Sequence, residues 1–299
     1  MAYENTHLWA ADAVRERLQS SVLKKLITDS IDCYYFGAVF PDTLSYSNDK
    51  KIREISNFLH GKTGIYSNDV VFEVLDMTKR IGDKKNLAFI CGFLTHCAMD
   101  IVFHPIIVYF SGYKPSNRPW KASKSAYLHW HYETYIDKRF NNNFYLDKII
   151  NPGVVRDLAV SSILNISEKI ILDSLTKQIS YFRRNRSQLF YKLYRMLNKT
   201  GLVERKYLAG FYANLEVDPM RLPDNLHYRD IISGENKETT MDGLMDEGIN
   251  MGLKLVESAY DYNCGKINRQ ICEETITRKT LDTGQIGKTN ADVRFSLDL

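Results

Sequence analysis

The segment from Asn86 to Phe110 constrains this chain more than any other, because it is almost continuously apolar yet carries His96, Asp100 and His104 at four-residue intervals. By length alone it is about enough to cross a bilayer, at roughly 20 apolar residues per span. Ionisable side chains inside a membrane span are costly, and a regular series of them is the wrong pattern for lipid contact. Residues four apart share one face of a helix. The segment therefore reads as a helix buried inside a helical protein, with one polar stripe turned towards something that satisfies it.

The rest of the 299-residue chain agrees with an all-α fold. Only seven prolines interrupt it, which suits long helices. Helical spacing of apolar residues predicts a first helix over Trp9–Ser30, then further helices over Lys50–Leu59 and Val70–Ile81. The apolar run Tyr34–Phe40 ends in Pro41-Asp42, so Asp42 is expected on a loop after a helix. Pro105 is expected to end or bend the long buried helix near His104. A turn-rich loop is expected over Gly112–Pro119, and a helix over Ser123–Arg139. Later helices are expected over Val154–Ser174, Ser187–Asn198, Val203–Ala213 and Thr240–Tyr262. Gly61 and Gly265 stand at stop positions. Residues 1–265 thus form a multi-helix bundle, and the polar residues 266–299 form a short irregular C-terminal tail.

Charge and cysteine content narrow the function. A formal charge of +4 is too small to point to nucleic acid, although it helps attract an anionic substrate. The basic run Arg183-Arg184-Asn185-Arg186 reads as a solvated helix end, with a phosphate or membrane-surface patch as the alternative. Five scattered cysteines without a Cys-x-x-Cys pair exclude a thiolate zinc site and a disulfide framework. The first residues carry neither a basic nor an apolar signal region, so a cytoplasmic setting is expected.

Six of the seven histidines precede residue 132. His96 and Asp100, one helical turn apart, can reach a single metal ion together. His104 lies about 12 Å from His96 along an ideal helix axis, too far for the same ion but suited to a neighbouring one. His129 and Glu133 repeat the four-residue spacing about 30 residues later, whereas His131 points the other way, as a surface residue or a support for the ligands. Asp42, His60 and His7 are the remaining candidates. Neutral imidazoles with carboxylates are the donor set expected for Zn²⁺ in a hydrolytic site. Unpaired, these groups would cost several kcal/mol each on burial, and a metal cluster pairs them all.

Taken in order, Thr6-His7, Phe36-Gly-Ala-Val-Phe-Pro-Asp42, Phe58-Leu-His60-Gly, Gly92-Phe-Leu-Thr-His96-Cys-Ala-Met-Asp100, His104-Pro and His129-x-x-x-Glu133 resemble the zinc-dependent phospholipase C family over about residues 1–140. The resemblance implies an all-helical enzyme that holds two or three Zn²⁺ ions and hydrolyses a phosphodiester through a metal-activated water. It implies His60, His96 and Asp100 as ligands of a first zinc, with Asp42 as ligand or general base. It also implies His104, His129 and Glu133 for a second zinc, and His7 with Asp100 for a third. The implied substrate is a phospholipid or another phosphodiester, with peripheral membrane contact and no stable nucleic-acid partner. Two alternatives remain open: a phosphoesterase acting on nucleotides, like the single-strand-preferring zinc nucleases, and a non-catalytic helical protein stabilised by its metals.

Overall fold

The structure, a computed structural model, describes residues 4–62, 68–112 and 119–298, without the side chains of residues 68 and 119–122. Its principal helices are α1 Glu4–Arg17, α2 Ser21–Asp29, α3 Ile31–Thr43, α4 Lys50–Leu59, α5 Asn68–Ile81, α6 Lys84–Phe110, α7 Pro119–Phe140, α8 Glu168–Asn185, α9 Gln188–Lys199, α10 Met241–Asn263 and α11 Arg269–Thr275. Two short strands, β1 Asn225–Arg229 and β2 Asn236–Thr240, pair antiparallel with Asn225 opposite Thr240. The protein is all-α apart from this hairpin, which the helical periodicity does not anticipate.

Apolar helix α6 is the axis. It is the one helix among the described residues long and apolar enough to cross a membrane, and 94% of its most apolar stretch is buried by the protein itself. Helices α3 and α10 cover most of it, and α1, α5 and α7 complete the wall. Contact with α3 is unusually close because glycines face each other. A Cβ on Gly92 would lie 1.9 Å from the Tyr34 carbonyl oxygen, and one on Gly37 would lie 2.0 Å from that of Phe89. Around this crossing Phe36, Phe40, Phe89 and Phe93 interlock, with Phe40 and Phe89 ring centres 5.3 Å apart. Such ring pairs add to the burial that drives the packing.

Several boundaries differ from the sequence expectation, each for a local reason. The first helix breaks after Arg17, and α2 starts afresh where the Ser20 hydroxyl caps the Leu23 N–H at 3.3 Å. Pro41 does not stop α3, so Asp42 sits in the last turn of a helix rather than on a loop. Pro105 does not end α6, which runs on to Phe110. The missing proline N–H would have bonded the Ile101 carbonyl, and that oxygen instead lies against Gly284, where a Cβ would come within 2.6 Å. The expected helix at Val154–Ser174 is split into short turns before α8, with Asn165 at φ 52°. Only Lys206–Ala209 is helical within the expected Val203–Ala213. The expected loop at Gly112–Pro119 lies largely outside the described residues. Residues 266–299 include α11, and their following segment packs back onto α4 and α6 through Leu281, Thr280 and Gly284.

The α3–α6 crossing makes a paired prediction. Gly92→Ala must push a Cβ into a backbone oxygen that cannot rotate away, so we expect it to destabilise by about 1–3 kcal/mol despite alanine's better helix propensity. Gly248→Ala on α10 would meet the flexible Met99 sulfur at 2.6 Å, and we expect a smaller loss. Denaturant titration of both variants measures the difference.

Candidate metal centre

Four helices converge on one buried point. Helix α6 presents His96 and Asp100 from successive turns, the last turn of α3 brings Asp42, the end of α4 brings His60, and α1 brings His7. All five residues are at most 1% exposed. The His96 Nε2 lies 3.3 Å from Asp100 Oδ2, the His60 Nε2 lies 3.1 Å from Asp42 Oδ1, and the His7 Nε2 lies 3.4 Å from Asp100 Oδ1. The rings of His7 and His96 stack with centres 4.0 Å apart. One turn further along α6, His104 meets His129 and Glu133 from α7. The His104 and His129 ring centres are 5.0 Å apart, and His129 Nε2 is 2.9 Å from Glu133 Oε1.

The donors fall into three sets whose ligand atoms lie within 4.8 Å of one another: His7, His96 and Asp100; Asp42, His60 and His96; and His104, His129 and Glu133. Two donors each about 2.1 Å from a tetrahedral ion are about 3.4 Å apart, so the observed separations suit shared cations. All eight ligand residues expected from sequence take part, and His96 is common to two sets. His104 falls in a different set from His96, in keeping with their separation along α6.

Hydrogen bonding indicates which nitrogen three of the imidazoles offer. The Nδ1 of His60 lies 2.7 Å from the Ser56 carbonyl, that of His96 lies 2.9 Å from the Ala38 carbonyl, and that of His104 lies 2.9 Å from the Asp282 carbonyl. A carbonyl can only accept, so Nδ1 carries the proton and Nε2 is left as a lone pair aimed into the cluster. Eight buried side-chain atoms of these residues then have no hydrogen-bond partner: both nitrogens of His7, both oxygens of Asp42 and of Asp100, and the Nε2 of His60 and His96. They make up most of the eleven such atoms among the described residues. Lone pairs facing each other at 3–4 Å are the mark of a site built for cations, and the donor chemistry fits Zn²⁺.

The electrostatics point the same way. Burial opposes charge on Asp100 and on Asp42, yet the surrounding imidazoles hold both carboxyls below their usual range, Asp100 well below. Glu133 is likewise held low against burial, with help from His129. Burial keeps His7 and His104 neutral by lowering them. His96 is the exception: burial disfavours its cation, but Asp100 and Asp42 outweigh that and raise it. The result is ionised carboxylates beside the neutral imidazoles of His7 and His104, the protonation state a divalent cation needs. The His129 side chain, 20% exposed, is the most open member of the sets, and solvent reaches the site there.

The residues that support the ligands come from far along the chain, beyond the reach of spacing arguments. Asp282 holds His104 through its carbonyl, and its carboxylate accepts from the Asn290 amide at 2.6 Å. Next to it, the Leu281 N–H bonds the His60 carbonyl at 3.0 Å, and Thr280 packs on Gly61, which sits at φ 71°. One C-terminal strap thus touches ligands of two donor sets. The turn-forming triplet Asp282-Thr283-Gly284 offers no local signal of that role. Asp137, one turn beyond Glu133, accepts from the Asn5 amide and the Thr6 N–H at 2.8 Å each, which pins the start of α1 and so His7 to α7. Glu4 is buried and accepts from Tyr46 at 3.0 Å and Gln178 at 2.9 Å. Burial, and then the charge of Asp42, raise its carboxyl well above the usual range. His131 belongs to none of the donor sets and is not on the surface: it is buried, with its Nε2 2.8 Å from the Met220 carbonyl. His227 is exposed on β1, facing Glu238 at 3.7 Å.

The strap yields a test. Gly284→Ala adds a Cβ at φ 68°, 2.6 Å from the Ile101 oxygen, and should lift the strap from His104. We expect a folded protein whose weakest-held zinc loses about 10–100-fold in affinity, the usual effect of removing a ligand's support. Competition with a chromophoric chelator reads this directly. Unchanged affinity would show that the strap does not position His104.

Comparison with known proteins agrees with this geometry. No curated protein and no solved structure matches the chain. The family model described as zinc dependent phospholipase C matches residues 6–189, which include every candidate ligand and most of the chain. The chain belongs to the zinc-dependent phospholipase C family.

Proposed function

We propose that the protein is a zinc-dependent phosphodiester hydrolase acting on a phospholipid or a related phosphodiester. The observation that carries this reading is the group of eight buried, unpartnered nitrogen and oxygen atoms, all belonging to residues of the two donor sets that share His96. A purely structural zinc site takes four protein ligands and a catalytic one takes three with a position kept for water; among the described residues each set brings together three side-chain donors. Bound zinc would supply Lewis acidity towards the phosphate oxygens and towards water.

The chain's own residues would do the rest. His104, His129 and Glu133 would hold one side of the reacting centre, next to the solvent-exposed His129 edge. His7, His60, His96 and Asp100 would hold the buried side. Asp42, kept ionised by His60 and His96 against burial, is the carboxylate placed to accept a proton from water. The carbonyls of Ser56, Ala38 and Asp282 keep three imidazoles in the tautomer that leaves Nε2 free. The wall of α3, α6 and α10 excludes bulk water from the buried side.

Hydrolysis of bis(p-nitrophenyl) phosphate by the zinc-loaded protein tests the reading. We expect Asp42→Asn to lower the rate about 100-fold or more while zinc stays bound at His104, His129 and Glu133. A wild-type rate in that variant would remove Asp42 from the chemistry. A zinc-loaded wild type that cleaves no phosphodiester would favour a metal-stabilised binding protein. Acid should release the metal, since protons compete for the same lone pairs. His96, raised by Asp100 and Asp42 against burial, is one ligand that protons would take, so affinity is present at neutral pH and falls as pH drops through the histidine range. Zinc retention after dialysis at about pH 7.5 and about pH 5.5 checks the sign.

A further inference from the structure

Helix α9 is built inside out relative to the rest of the bundle. Its inner face carries Tyr191 and Tyr194, which pack on Phe211 with ring centres 5.8 and 5.2 Å away. This is a small core separate from the main one. Its outer face repeats Leu189, Leu193 and Met196 at the i, i+4, i+7 spacing of one helical stripe. Leu189 is 75% exposed and Met196 58%, and Leu202, just past the helix, is 75% exposed. Eight of the thirteen large exposed hydrophobic side chains among the described residues fall between Leu189 and Met220. Lone exposed apolar residues mean little, but a contiguous stripe marks an interaction surface.

Charge identifies what the stripe meets. Lys192, Arg195 and Lys199 follow the i, i+3, i+7 spacing and flank the apolar stripe on one side. From Arg183 to Lys206 there are eight Lys or Arg residues against the single Glu204, a net +7. The whole chain carries only +4, so everything outside this segment sums to −3. Within this segment Arg186 pairs with Asp147 and Arg205 with Asp218, so the basic flank of the stripe itself is Lys192, Arg195 and Lys199. An outward apolar stripe with a basic flank is the design of a helix lying in the plane of a lipid interface.

We infer that α9 with Leu202 is a docking surface for an anionic lipid bilayer. The aliphatic stripe enters the boundary between headgroups and acyl chains, and the basic flank meets the lipid phosphates. Nucleic acid would leave Leu189, Leu193, Met196 and Leu202 without partners, since single-stranded bases seek aromatic faces. A second copy docking by the same face would bring two flanks of Lys192, Arg195 and Lys199 together. The surface lies apart from the metal centre. Helix α9 reaches α7 through the Lys206–Ala209 turn, where Thr134 bonds the Ala209 carbonyl and Trp130 meets Tyr207, and none of these residues belongs to a donor set. Docking does not rest on hydrolysis: sedimentation with vesicles reads bound protein whether or not lipid is cleaved.

The test is co-sedimentation of the full zinc-loaded chain, and of its Asp42→Asn variant, with phosphatidylcholine vesicles and with vesicles containing about 30 mol% phosphatidylserine. We expect binding to the anionic vesicles only, weakened by added salt. The triple variant K192E/R195E/K199E and the double variant L193E/M196E should each lower the partition coefficient about tenfold or more, with circular dichroism unchanged. Three outcomes would overturn the inference. One is no binding of the wild type to anionic vesicles, and another is binding that neither variant weakens. The third is an α9 face that serves another partner, seen as L193E/M196E turning a dimer into a monomer, or as oligonucleotide binding without vesicle binding. Failure here with intact zinc-dependent hydrolysis would leave the proposed reaction standing, and the reverse also holds.

Discussion

Asp42 and Asp100 are buried beside the same imidazoles in the interior of a helical bundle, and the fold around them is arranged to make that tolerable. An isolated carboxylate in such surroundings costs several kcal/mol or loses its charge. Here the Nε2 atoms of His96 and His60 lie within 3.1–4.0 Å of them, and with the imidazole protons turned outwards to backbone carbonyls it is a shared cation that would keep both ionised. The lone pairs that remain have nothing else in the protein to bind. The centre is therefore a demand for cations written into the core, and family membership supplies the identity of zinc.

That demand depends on tight packing elsewhere. Asp42 and His96 come from different helices, α3 and α6, and approach each other only because Gly37 and Gly92 let those backbones touch. The Ala38 carbonyl that orients His96 belongs to the same crossing. A larger residue at either glycine would move the ligands as well as strain the core. At the other end of α6, Pro105 frees the Ile101 carbonyl, and Gly284 allows the C-terminal strap to lie close enough to orient His104.

Much of the site is legible in the sequence because the key pairs are local. His96 with Asp100 and His129 with Glu133 are each one turn apart, and a polar stripe on an otherwise apolar helix requires polar partners inside the protein. The all-α class follows from the same periodicity. What stays hidden is non-local or depends on context. Asp282 reaches His104 across 178 positions, and nothing in Asp-Thr-Gly suggests it. Asp137 stands out in sequence as a neighbour of Glu133 but not as the anchor of α1, since Asn5 and Thr6 lie more than 130 residues away. Pro41 and Pro105 look like helix ends, yet tertiary packing carries both helices past them. His131 marks the limit of spacing arguments. Helical geometry gives its direction away from His129, but only the folded chain brings it to the Met220 carbonyl in a buried position.

The most direct measurement is the metal content of the full chain, by elemental mass spectrometry on protein purified without chelator or metal-affinity tag. We predict two or more zinc ions per chain, with fewer in His96→Ala and in Glu133→Ala, because these residues serve different donor sets. A wild type that is folded, stable and free of metal would contradict this, since the protein would then tolerate eight unpartnered buried atoms with no cation to satisfy them.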